Sequence, residues 1–191
     1  MRELVENKLK TGKMVGIMTL TVLVTTVVLF VIAGITKSDV PFIVGMLSLY
    51  VFIVMGAFYL AAFMTLKSNM KWLRKIGKEN TIDDISLEYP QIKKGKVYCG
   101  SQALYSKKNN VIIPYSEFAW VHSYIVRSGF WAVSTAVMVH TKDRRQFIIQ
   151  GDIDEFKWVL ERHVIPVCPN LIIGNGKKQL ERFNELNPRK K

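Results

Sequence analysis

The chain has 191 residues, of which 49% are hydrophobic, and carries a formal net charge of +12 at pH 7. The apolar residues crowd into the first third, which argues against one evenly built soluble core. The basic excess is divided, ten basic against four acidic residues in 1–79 and 17 against 11 in 80–191. With no recognition-helix or RNA-binding motif beside it, that spread does not make nucleic acid an expected partner.

A short segment, 1–13, precedes two long apolar runs. Met14 to Thr36 is 23 residues without a charge and Val40 to Leu66 is 27 more, each above the roughly 20 residues that cross a bilayer core. Val31 and Ala33 resemble the small-residue pattern before a signal-peptidase site. A secretory core is about 7–15 residues long, however, so a longer run followed directly by another predicts retention. Lys37, Ser38 and Asp39 alone separate the runs, which predicts a two-helix transmembrane hairpin over 14–66. Arg2, Lys8, Lys10 and Lys13 precede the first run, and Lys67, Lys71, Arg74, Lys75 and Lys78 follow the second, against Lys37 in the turn. That asymmetry places both termini in the cytoplasm.

The runs carry hydroxyls (Thr19, Thr21, Thr25, Thr26, Ser48, Tyr50, Tyr59) and no Asp, Glu, Lys, Arg or His. Ionisable residues at membrane depth mark ion and proton pathways, so their absence argues against a transporter. Gly45, Gly56, Ala57 and Ala61 allow close helix contact, within the hairpin or in a homo-oligomer formed through it.

In 67–79 the spacing of Met70, Leu73 and Ile76 predicts a basic juxtamembrane helix stopped by Gly77. Lys67, Lys71, Arg74, Lys75 and Lys78 are the candidate membrane-surface contact, each worth about 1 kcal/mol near an anionic leaflet. Trp72 is included as an interfacial anchor. Its alternative role is packing against the domain that follows.

From Lys96 the texture changes to short β-rich pieces between turn formers. Strands are expected at Val97 to Cys99, Ala103 to Tyr105, Val111 to Ile113, Phe118 to Ile125, Phe130 to His140 and Phe147 to Gln150. Asn109 with Asn110, Ser128 with Gly129, and Lys142 with Asp143 supply turns. Simple alternation places Phe118 and Trp120 on one face and Glu117, Ala119 and Val121 on the other. Asp152 opens a helix as N-cap, with Glu155 reaching back, and Ile153, Phe156, Leu160 and Val164 form its apolar stripe. Pro166 and Pro169 end it. Leu180, Phe183 and Leu186 predict a last short helix before the basic tail Arg189, Lys190 and Lys191.

The segment IPYSEFAWV, Ile113 to Val121, resembles the strand entry of bacterial pleckstrin-homology-like (PH-like) domains. The whole layout is similar to uncharacterised bacterial two-span membrane proteins with a cytoplasmic domain of that shape. The resemblance implies a membrane α-helical hairpin followed, over 80–191, by a mainly-β PH-like domain with a C-terminal packing helix. Phosphoinositide-binding relatives place Lys and Arg around the first hairpin. Here Lys93, Lys94 and Lys96 have no Arg beside them, and Lys107 and Lys108 are followed by Asn109 and Asn110.

No catalytic residue, cofactor site or metal site is assigned. Cys99 and Cys168 form no zinc-like pair, a reducing cytosol keeps them as thiols, and His122, His140 and His163 have no short ligand spacing. Gly174 to Lys178 lacks the Walker spacing and reads as a turn before the last helix. The expected function is a membrane-anchored, non-catalytic binding or scaffolding protein of the bacterial plasma membrane, with the lipid bilayer and a protein as partners. The alternatives are an accessory or regulatory subunit of a transport or stress-response system and, behind it, an enzyme.

Overall fold

The computed structural model describes residues 1–37, 39–93, 96–128, 132–151 and 153–188. The chain divides into two compact units, Arg2–Ser68 and Asn69–Lys191 with Met1. The second unit thus takes in residues 69–79 along with 80–191.

The first unit consists of helix α1, Arg2–Thr36, and most of helix α2, Asp39–Lys75. Among the described residues one helix, α1, is long and apolar enough to cross a membrane. The threonines in it do not stand open: Thr19, Thr21 and Thr25 donate to the carbonyls of Val15, Ile17 and Thr21 one turn back. Lys37 takes a left-handed conformation after α1 (φ 51°), and Ser38 of the expected turn lies outside the described residues. The helices run side by side in opposite directions, since Gly12 meets Phe63, Thr19 lies by Gly56, and Phe30 by Gly45 and Phe42. At Gly12 a methyl group would overlap the Phe63 ring, so the close approach there depends on glycine.

α2 ends in a Schellman motif. Gly77 adopts φ 68° while its N–H donates to Arg74 O and that of Lys78 donates to Leu73 O. The stop expected at Gly77 thus has a backbone cause. A 3₁₀ turn, Glu79–Ile82, follows.

The rest of the second unit is mainly β, in two sheets. Strands β1 (Val97–Cys99), β2 (Ala103–Ser106) and β3 (Val111–Pro114) form an antiparallel meander. After a 3₁₀ turn, Tyr115–Glu117, come β4 (Phe118–Ser128), β5 (Ala132–Thr141) and β6 (Gln146–Gln150). Helix α3, Ile153–Val159, continues into a π-helical turn, Leu160–Val164. A two-residue strand β7, Ile172–Ile173, then joins β4 in parallel, giving the order β6-β5-β4-β7. The C-terminal helix α4, Lys177–Leu186, closes the described chain. The N-cap expected of Asp152, the start of a strand at Phe130 and the basic tail at Arg189 to Lys191 lie outside the described residues.

The expected facing of β4 is corrected at its first residues. Phe118 pairs with Thr141 but Trp120 pairs with His140, so Ala119 is an extra residue on β4, a β-bulge. Neighbouring residues of β5 point to opposite faces. Phe118 therefore shares the inner face with Thr141 and Val139, while Trp120 shares the outer one with His140. The inner face is the core: Val121, Val137, Val139 and Ile149 are fully buried, as are Phe156, Val159 and Val164 from the α3 segment and Leu73 from α2.

Candidate functional site

The expected membrane-surface residues sit at the end of α2, and helical geometry sorts them. At 100° per residue, Lys71, Arg74 and Lys75 follow i, i+3, i+4 spacing and fall on one side, while Lys78 lies just past the helix, after the Gly77 stop. Asn69, Met70, Trp72 and Leu73 fall on the other and are buried. Lys71, Arg74 and Lys75 are exposed and Lys78 is partly so. Arg74 meets Glu79 at 3.0 Å in an exposed pair, an arrangement that contributes little to stability. Lys67, one turn earlier and counted with the first unit, is exposed and lies 5.8 Å from the Phe63 ring centroid.

Trp72 has the geometry of a packing residue and not of a headgroup anchor. Its indole is 1% exposed, tilts against Phe147 with centroids 5.3 Å apart, and donates through Nε1 to Asp143 Oδ2 at 2.8 Å. The Arg145 guanidinium lies over the same indole at 5.5 Å and within 3.5 Å of Asp143. Asn69, which the sequence reading passed over, is 2% exposed. Its Nδ2 donates to Ile112 O and its Oδ1 accepts from Ile112 N, both at 2.9 Å. An asparagine among apolar positions of a helix was the available signal, because a buried amide requires partners.

A second cluster lies on the outer face of the β4–β7 sheet. His122 Nε2 and His140 Nε2 are 3.1 Å apart, and His122 Nδ1 lies 2.9 Å from Ser123 O. A carbonyl only accepts, so His122 is protonated at Nδ1, and the neutral pair requires His140 Nε2–H to donate to His122 Nε2. Trp120 stacks on His140 with centroids 4.4 Å apart, and Phe183 of α4 meets both rings edgewise or tilted. Burial, and then the His122 imidazole, lower the His140 pKa to about 4. Trp120 also donates from Nε1 to Gly174 O, while Gly174 N–H donates to Val121 O. The glycine-rich stretch is thus the turn that carries the chain into α4.

The histidine centroids are 5.2 Å apart while the nitrogens are 3.1 Å apart, so the rings meet head-on. An ion held in line between them needs N–metal bonds of about 2.0 Å each, more room than this gap leaves. Among the described residues no group of three or more His, Cys, Asp or Glu is placed to hold a metal ion.

The cysteines are free thiols held in their neutral form. Burial raises the Cys99 pKa to about 11. Cys168, also raised by burial, points its thiol at the carbonyls of Tyr115 and Ser116, 3.3 and 3.4 Å away. Cys168 also lines a cleft of about 250 Å³ with Lys142, Asn170 and Leu186, where a protonated thiol is a poor nucleophile.

Compared with protein-family models, with curated proteins and with solved structures, the chain matches none.

Proposed function

We propose that the protein is a membrane-anchored, non-catalytic binding or scaffolding protein of a bacterial plasma membrane. In this reading α1 and α2 form a two-span hairpin, and the unit from Asn69 onward is a PH-like platform in the cytoplasm. The observation that carries the reading is the open apolar surface of α1. Its most apolar 18-residue window is 6% buried, and Ile17, Leu20, Leu23, Val24, Val27 and Val31 are each at least half exposed. Water makes such a surface costly, whereas lipid tails cover it. Val40, Ile43, Leu47 and Ile53 of α2 are exposed in the same way.

Two sheets followed by helices support a PH-like platform. Strand β7, added after α3 and parallel to β4, and the second C-terminal helix are additions to that plan. A non-catalytic role is favoured by protonated thiols and by a histidine pair whose facing nitrogens are engaged with each other.

The test is impermeant thiol labelling of intact cells stripped of any outer-membrane barrier. Ser38→Cys is expected to react from outside, and Asn184→Cys, exposed on α4, only after the cells are opened. Reversed labelling would overturn the topology.

A further inference from the structure

We infer that the solvent side of the α2 terminus, Lys71, Arg74 and Lys75, together with Lys78 just past it, is a binding surface for anionic phospholipid headgroups that is built into the folded β-rich unit. The inference rests on the membrane reading above and adds its regulation. A basic segment beside a membrane span is ordinarily a flexible tether whose charges act one by one. Here the inner side of the same two turns is fixed to the β-sheets by the double hydrogen bond from Asn69 to Ile112 and by Trp72 against Phe147 and Asp143.

The cations therefore project from a backbone held on its other side. Lys71, Lys75 and Lys78 make no salt bridge among the described residues, whereas Arg74 is paired with Glu79 and Arg145 with Asp143. Cations set along an exposed helix side respond to the charge density of a leaflet. Because a single stretch of helix has lipid outside and core inside, engagement of anionic lipid stabilises the folded unit, as any ligand of the native state does.

The full chain is reconstituted in nanodiscs of phosphatidylcholine alone, or of phosphatidylcholine and phosphatidylglycerol at three to one, and thermal unfolding of the β-rich unit is followed. The anionic discs are expected to raise the midpoint by about 2–5 °C, and ~0.5 M salt to remove the rise by screening. The triple variant Lys71→Gln, Lys75→Gln, Lys78→Gln loses the rise while keeping its midpoint in neutral discs. A control triple, Lys107→Gln, Lys108→Gln, Lys178→Gln, keeps it. No rise in the wild type, a rise that survives the first triple, or equal loss in the control overturns the inference. So does a rise produced by short RNA in neutral discs and not by anionic lipid. Should the triple unfold, Lys71→Gln and Lys75→Gln singly must each remove part of the rise, and failure of both overturns it. A chain that stays soluble without discs sinks the membrane reading instead, which keeps the two failures apart.

Discussion

Asn69 and Ile112 are joined through both ends of one amide, donor to carbonyl and acceptor to N–H, each at 2.9 Å. Ile112 lies on β3, the edge of its sheet, and its outward backbone groups lack a neighbouring strand. The Asn69 side chain takes the place of that strand for one residue, satisfying a buried edge that would otherwise be left unpaired. Replacing it by the near-isosteric Asn69→Leu strands two backbone groups in a dry contact. The expected loss is about 2–4 kcal/mol in chemical denaturation. A loss below about 1 kcal/mol would mean that water reaches the edge.

The same relationship sets where the domain begins. A fragment starting at residue 69 keeps Trp72 and Leu73, which are 1% and 0% exposed; a fragment starting at 80 opens a trench where they lay. The longer fragment is expected to melt cooperatively with a mainly β circular-dichroism spectrum, and the shorter one to bind a hydrophobic dye and melt broadly. Equal melting of the two would show that α2 contributes nothing to the core.

Most of the secondary structure was legible because its causes are local. Alternating apolar residues and Asn, Gly and Asp turns placed six strands within a few residues of where they lie, and Gly77 stopped α2 as expected. What escaped was tertiary. Two residues, Ile172 and Ile173, are too few to show a period, and only the β4 edge makes them a strand. The bulge at Ala119 is invisible to alternation, because an inserted residue looks like any other. Trp72 allowed two roles from sequence, and the choice between them depended on Phe147 and Asp143, more than 70 positions away. The basic residues were easily found, yet that the opposite side of their helix enters the core of the β-rich unit required the fold.

Stability is expected to fall in mild acid. The folded pKa of His140 is about 4, below the ordinary 6.5, so the unfolded chain takes up a proton more readily than the folded one. The histidine's contribution is intact above pH 6.5 and is lost progressively as the pH falls from 6.5 to 4. His163, also lowered by burial and then by Arg162, acts in the same direction. His140→Gln should flatten the slope of denaturation midpoint against pH without abolishing it. An unchanged slope would assign the effect elsewhere.

Both native thiols are expected to resist alkylation in the folded protein. At pH 7.5 Cys99 and Cys168 should react far more slowly than an exposed cysteine, because the thiolate is the reacting form. Cys99 should quicken as the pH approaches its value of about 11, and full reactivity should return in denaturant. Mass spectrometry after timed alkylation measures both. Rapid modification of either at neutral pH would show that its burial is transient, and it would spoil the labelling background for Ser38→Cys.

The extra residue at Ala119 makes the start of β4 more tolerant of one kind of genetic change than the rest of the strand. Substituting a small residue there leaves the pairing of Trp120 with His140 in place. Deleting Ala119 would close the bulge into regular pairing, with Phe118 still opposite Thr141 and Trp120 still opposite His140, whereas deleting a residue from the regular stretch after Val121 would turn over the side chains on one side of the gap. The histidine pair, the Gly174 turn and the seat of Phe183 all depend on the register of Trp120 and His122, so an in-frame loss of one codon should disturb the protein less at Ala119 than further along the strand.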